Sequence, residues 1–503
     1  YIPTSNNHIT FLYYYNFFGL MFLIKSLRRN YSIGKFSDRL PYNLGQALHE
    51  TRPNLIKPGD ITPGISAQEY YIRRLRLLDK LPAKSCVVLP SNITRFASGA
   101  VFYKFQQNTD FYYLSGFDEP NSLMILEKPN DNIEDSIFHM LVQEKDPFKE
   151  KWEGSRTGTE NCYNFFNADE VDNINNWKPY LEKILARSEK IYFNLDNSHS
   201  TYANEDIAKL INGSGKNFLN FKRTISEQRL IKSDDEIAVI RKCGQISGRS
   251  FNEAMSAKLQ SEKNLQAFLE YKFISNGLDS SGYIPVVAGG PNALTIHYTI
   301  NNDIIRDDEM VLIDAGGKFG NYTADISRTF PILGKFSEPQ RELYEAVLDV
   351  QRECIKVCSQ VVSGSVTFSD LHNFSRELMY KNLLQLGGFK NLEKNIDLLY
   401  PHHIGHYLGL DLHDIPSISM KEPLKENSVI TIEPGIYCPS DDSIVPKHYQ
   451  NIGIRIEDNV ALLPNNQYMN LTVEAVKEVA DIESVIANGV KRDNFNNNLN
   501  PLL

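Results

Sequence analysis

The segment that most constrains the structure, called here the histidine segment, reads Pro401-His-His-Ile-Gly-His-Tyr-Leu-Gly-Leu-Asp-Leu-His-Asp414. It holds four of the eleven histidines of the 503-residue chain. Histidine binds metal ions, carries protons near neutral pH and donates hydrogen bonds to a developing oxyanion. The clustering therefore predicts a functional site in which His406 binds metal and the other histidines contact the substrate.

Four carboxylates on flanking segments complete a candidate ligand set. Two precede the histidine segment and two follow it: Asp314, Asp325, Glu433 and Glu457. Four carboxylates and one imidazole form an oxygen-rich site that suits a pair of Mn(II), Co(II) or Zn(II) ions. Without cations, each close pair of carboxylates would repel by about 4 kcal/mol at an effective dielectric constant of about 20. The sequence therefore predicts two divalent ions per subunit, with Mn(II) as the expected metal.

The segments around the two aspartates read as strands. Residues 309–317 and 321–330 are joined by a turn that contains glycine, which predicts an antiparallel pair with Asp314 and Asp325 facing each other. One such carboxylate alone is more often a solvated strand end. Because charge inside apolar strands is costly unless it is paired or bound to metal, the joint pattern favours the metal site.

The two glutamates lie at the ends of apolar strands as well. Residues 428–433 form a β-branched run that Pro434 stops, so Glu433 lies beside a turn. In residues 453–457, alternation places Arg455 and Glu457 on the same face of a strand. Arg455 is expected to orient a ligand carboxylate from outside the metal ions, and a plain surface ion pair is the alternative.

The motifs occur in the order that one enzyme family shows. The histidine segment is followed by Ile-Glu-Pro-Gly-Ile-Tyr at 432–437 and Gly-Ile-Arg-Ile-Glu-Asp at 453–458. This half of the chain resembles the pita-bread metallopeptidases, the group of aminopeptidase P, prolidase and methionine aminopeptidase. The resemblance implies an α/β (α+β) chain with a pita-bread creatinase/aminopeptidase catalytic domain, and it places the five candidate ligands on the family's ligand positions.

The resemblance also implies a mechanism of peptide hydrolysis. Water activated between two metal ions attacks the scissile carbonyl, and Glu433 shuttles the proton. His413 and His297 steady the tetrahedral intermediate, and His402 lines the pocket. The expected product is a single residue released from the amino terminus of a peptide or protein.

The first half of the chain narrows the branch of the family. Residues 95–99, 105–117 and 146–154 resemble the amino-terminal domain of aminopeptidase P proteins. Strand-like stretches alternate with helix-like ones, which predicts a smaller α/β domain with strands at 85–90, 122–127, 137–143 and 190–196. The resemblance implies that this domain drives formation of a homodimer or a larger homo-oligomer and restricts the cleft to free chain ends.

Length and composition predict four regions. The chain exceeds the size at which one core keeps growing, and its composition changes near residues 227–236. We expect an upstream segment, presequence and linker at 1–60, the aminopeptidase P amino-terminal domain at 61–225, the metallopeptidase domain at 226–490 and a disordered tail at 491–503. A helix is expected over residues 237–259.

Charge, hydropathy and cysteine content bear on the partners. A net charge of −9 argues against a nucleic-acid-binding protein, which would carry a basic domain or stripe. The apolar run at 9–24 is shorter than the roughly 20 residues that a bilayer helix needs, so no integral span is expected, and peripheral association with the inner membrane stays open. The six cysteines contain no C-x-x-C motif and predict buried thiols in a reducing compartment.

The start of the chain has the composition of a mitochondrial transit peptide. From Met21 onward, four basic residues precede the first acidic one: Lys25, Arg28, Arg29 and Lys35. We expect Met21 to be the true start and the protein to lie in the mitochondrial matrix or on the matrix face of the inner membrane. A signal anchor that ends at Lys25 is the alternative, and an additional nuclear or cytosolic pool stays open.

The sequence leaves alternatives for the substrate preference of the chain and for whether it is catalytically active. Presequence cleavage two residues after Arg29 would leave Tyr31 first, and one mitochondrial relative of aminopeptidase P removes a single bulky residue from such termini. The hypothesis is that this chain trims imported proteins and itself, exposing Ser32. A Xaa-Pro aminopeptidase, which cleaves before proline, is the alternative, because pocket shape separates the two. A catalytically inactive pita-bread binding module is the second alternative, against which the complete ligand set counts.

Overall fold

The computed structural model describes residues 43–196, 200–360 and 366–490. The expected transit peptide, the start at Met21, the apolar run at 9–24 and the tail at 491–503 lie outside these residues. Contacts divide the chain into two units, Tyr1–Asn220 and Phe221–Leu503. The expected boundary at 225/226 lies a few residues later, inside the helix Lys222–Leu230, and the four-region division stays a prediction.

The first unit mixes strands and helices. Its strands are β1 (Asp60–Thr62), β2 (Ile65–Ser66), β3 (Ser85–Pro90), β4 (Phe96–Ser98), β5 (Val101–Phe102), β6 (Leu123–Lys128), β7 (Ile137–Val142), β8 (Glu170–Asn173), β9 (Lys190–Tyr192) and β10 (Phe218–Leu219). Its helices are α1 (Ala67–Asp79), α2 (Thr109–Ser115), α3 (Pro147–Glu153), α4 (Gly158–Phe165), α5 (Trp177–Arg187) and α6 (Asn204–Gly213).

A six-stranded mixed sheet forms the centre of this unit, in the order β10-β9-β3-β6-β7-β8. Strands β3 and β6 are mostly apolar and are buried along their whole length, as central strands covered on both faces are. The predicted strands at 85–90, 122–127 and 137–143 match β3, β6 and β7 within one residue at each end. The prediction at 190–196 ran too long, because β9 ends at Tyr192.

The second unit contains the candidate site. Its strands are β11 (Ser280–Ser281), β12 (Val286–Gly289), β13 (Met310–Ala315), β14 (Gly317–Phe319), β15 (Tyr322–Thr323), β16 (Ile326–Pro331), β17 (Val429–Ile432), β18 (Gly435–Cys438), β19 (Ile452–Arg455), β20 (Asp458–Leu463) and β21 (Gln467–Asn470). Its helices are α7 (Lys222–Leu230), α8 (Asp234–Ala257), α9 (Glu262–Ser275), α10 (Glu338–Val357), α11 (Phe368–Leu386), α12 (Leu392–Leu399) and α13 (Val479–Asn488).

Antiparallel sheets carry the site, in the orders β12-β13-β16, β11-β14-β15, β17-β20-β21 and β18-β19. Helix α8 begins with a capping box between Ser233 and Glu236, which satisfies its first backbone N–H groups. This helix confirms the one predicted over 237–259, with its start three residues earlier. Helices α8, α9 and α10 contribute to one apolar core, which contains Phe251 of α8, Leu343 of α10 and Ile454 of β19.

The predicted hairpin around the aspartates is more elaborate than one turn. Strands β13 and β16 are antiparallel, as expected, but their register places Ser327 rather than Asp325 opposite Asp314. The short strands β14 and β15 intervene and pair with each other, so the single glycine turn was wrong. A side chain at Gly316 would place its Cβ 1.7 Å from the carbonyl oxygen of Ala324, so only glycine allows this close crossing.

Two further expectations concern thiols and membranes. All six cysteines are buried free thiols, as predicted. Within the described residues, the structure contains no helix long and apolar enough to cross a membrane.

Candidate metal centre

Three of the five predicted ligands converge from separate segments. One ligand atom each of Asp325, His406 and Glu457 lies within 4.8 Å of the others. The histidine segment reaches this point by running along β17: Thr431 N donates to the His406 carbonyl and Glu433 N to the Ile404 carbonyl, at 2.9 and 2.8 Å. This pairing brings the imidazole of His406 beside the carboxylate of Glu433.

The imidazole of His406 is oriented for ligation. Its Nδ1 lies 2.9 Å from the carbonyl oxygen of Tyr407 and donates to it. Its Nε2 therefore faces the carboxylates, 3.3 Å from Asp325 and 3.5 Å from Glu433. Burial opposes protonation, but the bond to Asp325 and the charge of Glu433 outweigh it and raise the pKa of His406 to about 9. Metal-free His406 thus holds a proton where a metal ion would bind.

The two aspartates share one phenol. The hydroxyl of Tyr283 lies 2.5 Å from Oδ1 of Asp314 and 2.5 Å from Oδ1 of Asp325. One hydroxyl proton serves only one acceptor at a time. Burial raises the pKa of Asp314, while the bond from His406 outweighs burial at Asp325 and lowers its pKa. The carboxylate oxygens of Asp314 and Asp325 are therefore held close together, and a cation bound between them would relieve their repulsion.

Glu457 is buried, Glu433 is half-buried, and each carboxylate has few hydrogen-bond donors. Thr431 donates to Glu433 Oε1 at 3.2 Å, and Ser327 donates to Glu457 Oε2 at 2.7 Å. Burial raises the pKa of Glu433 to about 7. Burial and the charges of Asp325 and Glu433 raise the pKa of Glu457 well above its usual value. Four carboxylates here face the positive charges of Arg455 and protonated His406, so the cluster holds more negative charge than its own cations balance.

An orphaned oxygen tests whether the site fits metal ions. Glu457 Oε1 is buried and has no hydrogen-bond partner among the described residues. An unsatisfied buried carboxylate oxygen is costly. It points to a cation as the missing partner, and the surrounding carboxylate and imidazole donors are those that suit divalent ions such as Mn(II) or Zn(II). The residues present therefore fit metal ions.

Arg455 connects the carboxylates to a predicted pocket residue. Its guanidinium donates to Asp314 Oδ2 and to the hydroxyl of Tyr437, both at 2.7 Å. His402 Nδ1 lies 2.9 Å from the His403 carbonyl and donates to it, so its Nε2 accepts from Tyr437 at 2.9 Å. Arg455 is 2 % exposed, which excludes the surface ion pair. Burial and the Arg455 charge lower the pKa of His402 to about 3, which keeps it neutral.

The two predicted oxyanion donors lie in different surroundings. The ring of His413 stands edge-on to that of His406, with centroids 4.3 Å apart. Burial and the positive charge of His406 lower the pKa of His413, and His297 adds to the shift. His297 lies in the loop after β12 and is exposed. Both side chains are exposed, but only the ring of His413 packs against His406, a predicted metal ligand.

Four contributors were missed at the level of sequence. Ser327 and Asn459 each follow a predicted ligand by two residues, and Asn459 clamps the backbone of Asp325 at 2.9 and 2.6 Å. Because residues two apart in a strand share a face, the sequence could have predicted that Ser327 and Asn459 lie near the site. Tyr437 closes the quoted motif at 432–437. Tyr283 carries no local signal, because its partners lie 31 and 42 residues away.

Two family models match the chain. The model of metallopeptidase family M24 matches residues 238–463. The model of the aminopeptidase P N-terminal domain matches residues 70–192. The matches confirm the predicted order, an amino-terminal α/β domain followed by a pita-bread metallopeptidase domain.

Characterised relatives match nearly the whole length. Intermediate cleaving peptidase 55 of Saccharomyces cerevisiae is 53 % identical over 465 residues, 90 % of both chains. Xaa-Pro aminopeptidase 3 of Homo sapiens is 34 % identical and aligns with 93 % of this chain and 96 % of its own. Intermediate cleaving peptidase 55, mitochondrial, of Arabidopsis thaliana is 33 % identical, with 93 % and 94 % covered.

Solved structures show the same fold. The crystal structure of Icp55 from Saccharomyces cerevisiae has a TM-score of 0.81 and 52 % identity, covering 86 % of this chain and 100 % of that one. Aminopeptidase P from E. coli with the inhibitor Pro-Leu has a TM-score of 0.78 and 27 % identity, covering 84 % and 99 %.

Proposed function

The chain belongs to metallopeptidase family M24, and from that premise we propose that it is a two-metal aminopeptidase that removes one residue from the amino terminus of peptides or imported proteins. The observation that carries this proposal is the convergence of Asp325, His406 and Glu457, whose ligand atoms lie within 4.8 Å of one another. One carboxylate oxygen of Glu457 is buried and has no hydrogen-bond partner in the part of the chain that the structure describes. The M24 match supports a hydrolytic role for the metal ions.

Five residues would hold the metal ions, which we propose to be two Mn(II) per subunit: Asp314, Asp325, His406, Glu433 and Glu457. Bound divalent ions would supply Lewis acidity and lower the pKa of water toward neutrality. The negative charge of the cluster then serves to hold the cations rather than protons.

The remaining chemistry belongs to the protein's own side chains. Glu433 takes a proton from the attacking water and returns it to the leaving amine. His413 and His297 donate to the oxyanion that forms on the scissile carbonyl. Neutral His402 lines the pocket, and Arg455 holds the carboxylate of Asp314 in place by a hydrogen bond.

We propose a bulky first residue as the substrate and mitochondria, on the matrix side, as the location. The names of the yeast and Arabidopsis relatives support this choice. The transit-peptide composition after Met21 supports it independently. Self-trimming between Tyr31 and Ser32 belongs to the same proposal. Amino-terminal sequencing of the mature protein tests it, since Tyr31 first on active enzyme would refute self-trimming.

Cleavage before proline is the second candidate. The human relative named Xaa-Pro aminopeptidase 3 and the E. coli complex with Pro-Leu favour it. Peptides Tyr-Ser-x and Arg-Pro-x, assayed with Mn(II)-loaded protein by mass spectrometry, separate the two candidates. We expect release of Tyr from Tyr-Ser-x, and exclusive cleavage before proline would refute the preference for a bulky residue.

Metal analysis tests the proposal as a whole. Purified protein that holds no metal and gains no hydrolytic activity with Mn(II) would make it the inactive binding module instead. Light scattering tests the homodimer or larger homo-oligomer that we also propose. Flotation with inner-membrane lipid vesicles tests peripheral membrane association.

A further inference from the structure

Two basic side chains from the start of the second unit reach the histidine segment. Arg229 lies in the last turn of α7, and Lys232 follows that helix. Their side chains are only 3 % and 1 % exposed. The proposed mechanism uses neither residue, although buried cations need a reason and a partner.

The partner is Asp414, the residue after His413. Arg229 Nη2 lies 2.5 Å from its Oδ1 and Lys232 Nζ lies 2.9 Å from its Oδ2. The same Arg229 nitrogen lies 2.8 Å from Asp411 Oδ2. Two cations thus face two anions, and both oxygens of Asp414 have charged partners. Such a group has one favourable position, because moving it would leave a buried charge unpaired.

The backbone transmits this position to the catalytic histidine. Asp414 N donates to the Tyr407 carbonyl at 2.9 Å, and Gly409 N donates to the Asp411 carbonyl at 3.1 Å. The end of the histidine segment is therefore closed on itself. His406 stands immediately before this closed part and His413 immediately before Asp414, with ring centroids 4.3 Å apart. An anchor on Asp414 consequently sets where the His413 ring stands.

We propose that Asp414 is a positioning residue for His413, and that Arg229 and Lys232 form the anchor that fixes it. This inference rests on the proposed function, in which His413 donates to the oxyanion. Arg229 and Lys232, near the start of the second unit, would then contribute to catalysis without contacting the substrate. The anchor fixes the position of His413 as a hydrogen-bond donor and does not affect metal binding.

A compensating pair of substitutions separates positioning from folding. Asp414→Asn alone leaves two buried cations facing one anion and is expected to lower the Tm. The double variant Lys232→Met/Asp414→Asn removes one charge of each sign, leaving Arg229 opposite Asp411, and should recover most of that Tm. If the anchor were only structural, the double variant would recover kcat together with its Tm.

We expect the double variant to keep its Mn(II) content and the wild-type KM within about threefold, and to lose about tenfold or more in kcat, because small displacements of a catalytic group are costly. The triple variant that also carries His413→Ala should have the same kcat as the His413→Ala single variant, because the anchor acts only through His413. Wild-type kcat in the double variant, beside an impaired His413→Ala enzyme, would overturn this inference and leave the proposed function intact. Loss of Mn(II) would also overturn it.

Two controls complete the design. Arg223→Gln removes a guanidinium from the same helix that is 47 % exposed and bonds to Glu422, and it should leave kcat unchanged. A similar loss of kcat in Arg223→Gln would overturn the specific role of the anchor. His413→Ala without loss of kcat would instead refute the role of His413 in the proposed function.

Discussion

Glu457 and Asp458 are neighbours in the chain and both are buried, yet the protein surrounds them in opposite ways. Asp458 accepts from Arg328 and Lys477, both at 2.6 Å, and these cations outweigh burial and hold its pKa below the usual range. Glu457 accepts from Ser327, and its second oxygen has no partner among the described residues. Burial and nearby carboxylates raise its pKa.

The difference separates a structural charge from a functional one. Successive residues of an extended chain point to opposite sides, so Asp458 turns toward Arg328 and Glu457 toward the other carboxylates. A cluster that is neutralised within the protein stabilises the fold. A cluster left with excess negative charge is stabilised by a cation from outside, which is what a metal site requires.

The largest effect is expected on the functional side of this comparison. Glu433→Ala removes a proposed metal ligand that is also the proposed proton carrier, so kcat should fall by about 10³-fold or more. Steady-state assays with Tyr-Ser-x peptides measure it. Near-normal turnover in a folded, Mn(II)-containing variant would remove Glu433 from the proposed mechanism.

Substituting the two neighbours should give opposite changes in stability. Asp458→Asn leaves Arg328 and Lys477 without a full countercharge and should lower the free energy of unfolding by about 3–5 kcal/mol. Glu457→Gln removes repulsion and should leave the metal-free protein as stable as the wild type or more so, with weaker Mn(II) binding. Urea melts of metal-free protein give both values, and equal destabilisation would contradict the distinction.

The response to pH should also differ in sign. A carboxyl whose folded pKa is raised, as Glu433 is to about 7, contributes stability below its unfolded value that is lost as pH rises through about 7. Asp458, whose pKa is lowered, contributes stability above its usual value that is lost as pH falls.

Melts of metal-free protein and of Mn(II)-loaded protein, from about pH 5 to about pH 8, measure the Glu433 contribution, because the Asp458 contribution stays constant above the usual pKa of an aspartate. Stability of the metal-free form should fall with rising pH across that range, and the slope should shrink in Glu433→Gln. Mn(II) should stabilise more at the upper end, because binding displaces protons. Parallel pH curves with and without Mn(II) would count against protons and metal sharing one site.

The smallest effect belongs to an exposed ion pair that contrasts with both clusters. Arg341 and Glu483 form a contact of 2.6 Å with side chains 47 % and 21 % exposed. Arg341→Gln should lower the free energy of unfolding by less than about 1 kcal/mol and leave kcat unchanged. A loss comparable with that of Asp458→Asn would show that burial does not govern these energies.

Alternation and capping made much of the fold predictable. The strands β3, β6 and β7 and the helix α8 follow from local pattern, because burial on one or two faces repeats along the segment. The path between β13 and β16 did not follow, because strands β14 and β15 depend on close backbone contact at Gly316 with a residue eight positions away. The sequence offered no local sign of that crossing.

The candidate site divides in the same way. His406 and Glu457 were found because charge or imidazole interrupts an apolar segment. Tyr283 was missed because only the folded chain brings its hydroxyl to two aspartates. The roles of Asp414 and Lys232 were likewise invisible, since their bond joins residues 182 positions apart.

Because every cysteine is buried, the reactivity of the thiols reports local unfolding of the protein. Burial raises the pKa of Cys86 to about 11 and those of Cys243 and Cys438 to about 12, so the reactive thiolate is scarce in the folded protein. Alkylation therefore requires the surrounding structure to come apart. Since Cys86 lies in the first unit and Cys243 and Cys438 in the second, pulse alkylation followed by peptide mapping would time the melting of each unit in an enzyme that carries no substitutions.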